Sequence, residues 1–109
     1  MSFSVVFIRS EPGFGGDTPM PLGTKTQVPV GVTVFLGRST DAQIHMPEGT
    51  VARLHALLAV MPDKLRLLVV DLGSTNGIHV GGAPRQVALL ASGEEFRIAN
   101  RYWFRVVQD

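Results

Sequence analysis

Apolar residues recur along this chain in short bursts separated by Gly, Pro, Asp and Asn. The opening "SFSVVFIR" is β-branched and aromatic, which predicts a strand. The stretch "SEPGFGGDTPMPLG", residues 10 to 23, holds four glycines and three prolines and predicts a long surface loop. Val28, Val30, Val32, Val34 and Leu36 then alternate on one parity, with Pro29 and Gly31 dividing them into two short strands. "AQIHM" reads as a short strand and Pro47-Glu48-Gly49-Thr50 as a turn. "HALLAVM" and "KLRLLVVD" flank Pro62-Asp63 as two strands of a hairpin. "IHV", a Gly81-Gly82 turn, "QVALL", a Ser92-Gly93 turn, "EEFRIA" and "YWFRVV" complete the series.

Helix competes at one place. Ala and Leu in "VARLHALLAVM" favour it by propensity, but too few residues precede Pro62, and the following segment is strand-like. We therefore read a strand there. Roughly ten short strands with Gly and Pro turns predict an all-β sandwich. No internal repeat or low-complexity segment interrupts the pattern.

Composition narrows the function classes. At 109 residues, with 45% hydrophobic and 17% charged, the chain is expected to form a single domain over residues 1–109. A net charge of +1 gives no electrostatic case for nucleic acid or a membrane surface. The absence of cysteine excludes disulfides and thiolate chemistry. No apolar run approaches a spanning helix and the N-terminus lacks the basic start of a signal peptide, so a cytoplasmic location is expected.

The residues for catalysis are not assembled. His45, His55 and His79 lie in strand-like segments without acids at ligand spacing, so no metal or cofactor is expected. Ser74 sits in "GSTNG", which is not a nucleophile elbow. "GTKT" at 23 to 26 has Thr18 where a phosphate loop needs its first Gly. Glu94 and Glu95 are adjacent on a strand and point to opposite faces. The chain is read as a non-enzyme.

Three turn-rich stretches hold phosphate-friendly groups instead. "LGRSTD" offers Arg38, Ser39 and Thr40 after a strand. "GTVARLHA" offers Thr50 and Arg53 before one. "DLGSTNGIHV" carries Asn76-Gly77, which alone signals a hairpin, yet adds Gly73-Ser74-Thr75 beyond what a hairpin needs. Arginine takes phosphate through paired charge-assisted bonds, with hydroxyls and amides completing the shell.

In this order, "LGR", "DAQIHMPEGTVARLHA" and "VVDLGSTNGIHVGG" resemble the forkhead-associated (FHA) domain over residues 36 to 82. The resemblance implies a β-sandwich of about eleven strands (FHA/SMAD-like) whose loops at one end bind phosphothreonine peptides in Ser/Thr kinase signalling. It implies a phosphothreonine-containing protein or peptide as partner and leaves the oligomeric state unknown. Carried over by position, Arg38 and Arg53 contact the phosphate, Thr75 borders the pocket and Asn76 bonds the peptide main chain. Ser39 and Thr50 join the binding set. Gly37, His55 and Gly77 support the loops, Gly77 by adopting positive φ.

One position departs from the family. Its phosphate-binding Ser falls on Ala52, which has no donor. A hydrogen bond to a charged group contributes about 1.5 to 3 kcal/mol, a roughly tenfold to hundredfold change in affinity. The alternative is a phosphate-independent docking or oligomerisation domain on the same fold. Trp103, between Arg101 and Arg105 on one parity of the last strand, is the candidate patch for it, with core packing the more expected role. Intact Arg38 and Asn76 favour retained phosphate binding.

Overall fold

The computed structural model describes residues 2–11 and 19–109, so the centre of the expected 10–23 loop lies outside the described residues. Among the described residues eleven strands follow one another: β1 Ser2–Ser10, β2 Lys25–Pro29, β3 Val34–Gly37, β4 Ile44–His45, β5 Ala56–Val60, β6 Leu67–Asp71, β7 Ile78–Val80, β8 Ala83–Arg85, β9 Val87–Leu90, β10 Glu95–Ile98 and β11 Tyr102–Gln108. They form a six-stranded sheet in the order β2-β1-β11-β10-β7-β8 and a five-stranded sheet in the order β4-β3-β5-β6-β9. Among the described residues no helix is long and apolar enough to cross a membrane.

Period-two alternation builds the core between the sheets. Phe3, Val5 and Phe7 of β1 lie beside Tyr102, Phe104 and Val106 of β11 and Phe96 and Ile98 of β10 on the inner face of the six-stranded sheet, all buried. Phe7, Phe104 and Phe96 succeed one another at centroid distances of 5.4 Å. The five-stranded sheet answers with Val34, Leu36, Ala56, Leu58, Leu67, Val69, Ala88 and Leu90. The segment 56–60, where helix competed, is a strand paired with β3 and β6.

Several local expectations change. Val30 and Val32 keep the parity of Val28 and Val34, but Gly31 at φ +81° turns the chain and leaves both exposed. β8 was absent from the predicted series because Ala83-Pro84-Arg85 has no strand-favouring residue, and its pairing with β7 makes it a strand. Asn76-Gly77 is not a hairpin turn: β6 and β7 belong to different sheets, so residues 72–77 cross the sandwich. Trp103 is not core. Its strand neighbours Tyr102 and Phe104 take the inward parity, and Trp103 lies half-buried on the outer face. There its ring meets Arg9 at 4.1 Å and Arg97 at 5.3 Å, rather than Arg101 and Arg105.

A polar staple closes one end of the six-stranded sheet. Ser2 and Ser4 hydroxyls each donate to Asp109 Oδ2 at 2.7 Å, and Lys25 Nζ lies 3.2 Å from Oδ1. The two serine bonds, helped by Lys25, hold the Asp109 carboxyl down from 3.8 to about 2. Its contribution to stability is therefore complete above about pH 4 and is lost as pH falls through about 2. Asp109→Asn is expected to lower the melting temperature near neutral pH, with the gap closing as pH approaches about 2. A gap of constant size across paired thermal melts would refute this assignment.

Candidate functional site

Register places the chemistry-bearing loops together. Leu36 of β3 pairs with Ile44 of β4 in parallel and with Ala56 of β5 antiparallel, and Ala56 pairs with Asp71 of β6. The connections 38–43, 46–55 and 72–77 therefore emerge at one end of the sandwich. Ile98 pairs with both Ile78 and Tyr102, which brings the β10–β11 turn to the same end.

Gly37 lets two of these loops touch. Arg38 N–H donates to Ala52 O at 2.9 Å and Ser39 N–H to Arg53 O at 3.0 Å. A Cβ at residue 37 would fall 2.1 Å from Arg53 O and 2.8 Å from its carbonyl carbon. Those contacts are with backbone, which has no rotamer to move aside. Any side chain at 37 would push the Ala52–Arg53 strand of loop away from Arg38.

His55, fully buried, ties the second loop to the third. Ala52 N–H donates to its Nδ1 at 3.1 Å, and its Nε2–H donates to Gly77 O at 2.9 Å. This pair of bonds calls for the neutral tautomer carrying its proton on Nε2. The His55 backbone adds bonds from its N–H to Leu36 O and from Leu72 N–H to its carbonyl. One residue thus fixes the strand before the first loop and both loops beyond it.

The 72–77 crossing explains its own length. Ser74 Oγ donates to Asp71 Oδ1 at 2.5 Å and accepts from Gly77 N–H at 2.8 Å. Gly77 sits at φ +69°, where a side chain would be strained. Asn76 Nδ2 donates to Thr50 O at 2.9 Å, bracing the turn against the 46–55 loop. Its second N–H and its Oδ1 carry no bond within the described chain. Thr75 between them is exposed and its hydroxyl likewise unengaged. Ser74 holds the turn inward, while Thr75 and part of Asn76 are presented outward.

Glu48 anchors this set from behind. Thr50 donates to its carboxylate through both the hydroxyl and the N–H. Arg101 lies 3.6 Å away, its side chain 14% exposed. Burial works to raise the Glu48 carboxyl, but the two Thr50 bonds, Arg101 and Tyr102 together outweigh it and hold the group below its ordinary value. A polar chain Asn76–Thr50–Glu48–Arg101 therefore spans from the crossing loop to the β10–β11 turn.

Two shallow depressions open at this end. Arg38, Ser39, Thr40, Asp41, Arg53 and Leu54 line one of about 490 Å³. The other, about 450 Å³, has Ser74, Thr75, Asn76 and Gly77 on one wall. Arg38 Nε donates to Val51 O at 3.1 Å, which aims the side chain and leaves both terminal nitrogens without a bond among the described residues. Among the described residues neither Arg38 nor Arg53 has a carboxylate partner, although Arg9, Lys25, Arg66, Arg101 and Arg105 do.

Of the residues expected at the site, Arg38, Ser39 and Arg53 meet at the first depression and Thr75 and Asn76 line the second. Thr50 lines neither, and its hydroxyl proton is committed to Glu48. Ala52 is half-buried, with its N–H on His55 and its carbonyl on Arg38. Sequence reading missed Glu48, Asp71 and Arg101 as supports. Glu48 and Arg101 are too far apart in the chain for local pattern to pair them. The metal-capable residues form no group of three among the described residues.

Comparison with known proteins accounts for this geometry. The FHA domain family model matches residues 34–99. The oxoglutarate dehydrogenase inhibitor of Corynebacterium jeikeium is 36% identical over 75 residues, covering 69% of this chain and 49% of that protein. The chain thus spans about half the length of that relative. The FHA domain of the CT664 protein from Chlamydia trachomatis superposes with a TM-score of 0.78 at 22% identity, covering 100% of this chain and 99% of that one. A chain solved in a structural and functional analysis of phosphothreonine-dependent FHA domain interactions gives a TM-score of 0.75 at 28% identity, covering 100% and 98%. The chain belongs to the FHA domain family.

Proposed function

We propose that this domain binds phosphothreonine peptides and acts without catalysis, recruiting a phosphorylated protein in Ser/Thr kinase signalling. The observation that carries the reading is the pair of guanidinium groups, Arg38 and Arg53, over one depression at the loop end, neither with a carboxylate partner among the described residues. Two such groups side by side repel each other and gain most from a doubly charged anion. Ser39 supplies a nearby hydroxyl. Asn76 retains the amide valences a peptide main chain would use, and Thr75 is exposed beside it.

Ala52 sets the strength of this binding. With no hydroxyl there, the phosphate depends on the two arginines and on main-chain N–H groups or water. Calorimetric titration of a degenerate phosphothreonine peptide library, with its unphosphorylated twin as control, tests the reading. Heat from the phosphorylated library alone is expected. Equal heats, or none from either, would contradict it.

A further inference from the structure

The outer face of the five-stranded sheet carries apolar residues where a water-facing sheet should be polar. Phe35, Leu57, Val70 and Val87 follow one another in register across β3, β5, β6 and β9. Ala59, Leu68 and Leu89 form a second row across β5, β6 and β9. Their neighbours along each strand are the residues buried between the sheets, so these seven point outward. Val87 is 54% exposed and Leu89 40%. No charge lies within the two rows. Arg66 and Asp63, paired at 3.1 Å, mark a polar rim at the β5–β6 turn. The runs "ALLAV", "LLVVD" and "VALL" have the near-continuous hydrophobicity of strands covered on both faces, and the sandwich covers one.

We propose that this face is a homodimer interface, with two copies packing their five-stranded sheets against each other. The seven side chains present on the order of 300 Å² of apolar surface per copy, comparable to the largest apolar patch of an ordinary monomer, which is often functional. A face-to-face pair with its rim buries on the order of 1,000 Å², near the lower bound for a specific interface, so the dimer is expected to be concentration-dependent. Charge selects the occupant. The outer face of the other sheet displays Arg9, Arg97, Arg105 and Glu95 around Trp103, and pressing these against aliphatic side chains would strip their hydration without return. The apolar face of a second copy has the same width and no charge. Like face on like face is an isologous contact that closes at two copies. Sheets packed this way lie about 10 Å apart with strands inclined by about 30°. The loops holding Arg38 and Thr75 lie at the end of the sandwich and remain open, so the dimer stands independently of the phosphopeptide reading.

Sedimentation velocity from about 1 to about 500 µM tests the proposal over the range expected for an interface of this size. The parent is expected to pass from one to two copies. Leu68→Lys should weaken the dimer at least about tenfold, and Val70→Thr, which keeps the β-branched shape, should weaken it less. Arg97→Ala on the opposite sheet should leave it unchanged, and circular dichroism should show all variants folded. A parent that stays monomeric throughout, assembly that continues beyond two copies, or a folded Leu68→Lys that dimerises like the parent would each overturn the proposal. If Leu68→Lys fails to fold, parental affinity in Val70→Thr with loss in Arg97→Ala would overturn it.

Discussion

Arg38→Ala is expected to reduce phosphothreonine-peptide affinity by about a hundredfold to ten-thousandfold, the effect of losing two charge-assisted bonds. The same change should barely move the melting temperature. The folded chain loses only the Nε bond to Val51 O from an exposed side chain. Arg38→Lys keeps the charge and loses the planar fork, so an intermediate affinity is expected. Ala52→Ser should act oppositely, tightening binding about tenfold by adding a hydroxyl to the neighbouring loop. Calorimetry on the four proteins with one phosphopeptide separates these effects. If Arg38→Ala binds like the parent, the phosphate does not sit on Arg38. An unchanged Ala52→Ser would mean that residue 52 does not reach it.

His55→Ala should destabilise the fold by about 3 to 5 kcal/mol. Removing the imidazole leaves a cavity and takes away the partners of the half-buried Ala52 N–H and Gly77 carbonyl. For a domain of this size that corresponds to a melting temperature lower by roughly 15 to 30 °C. Peptide binding should weaken as well, because the 46–55 and 72–77 loops lose their common post. Chemical denaturation measures the stability term directly. A loss below about 1 kcal/mol would show that the backbone bonds alone hold the loops.

These two residues show where sequence reading stops. Motif resemblance picked out Gly37 and His55 as supports of the loops without naming the groups they meet. The partner of Gly37 is the Arg53 carbonyl and that of His55 is Gly77, each brought near only by the pairing of β3, β5 and β6. Strand identity was largely legible because alternation survives wherever one face is buried. It failed at Ala83-Pro84-Arg85, whose strand state comes from its neighbour β7 rather than from its own residues. Trp103 was misjudged because "YWFRVV" is apolar on both parities. Arg105, two residues on and therefore on the same face, carried the signal that this parity faces water.

The run of Ser74, Thr75 and Asn76 divides similarly. Sequence suggested that the surplus residues of this turn serve a ligand. Ser74 instead serves the loop, bridging Asp71 and Gly77, and the extra length carries the chain from one sheet to the other. Thr75 and the unspent half of Asn76 are what the turn has to offer.

Amide chemical-shift mapping with a phosphothreonine peptide and its unphosphorylated twin tests the central claim most directly. Saturable shifts at Arg38, Ser39, Arg53, Thr75 and Asn76, seen with the phosphorylated peptide alone, are the predicted result. Shifts of equal size with both peptides, or shifts centred on Leu57, Leu68 and Leu89 of the outer sheet face, would contradict it.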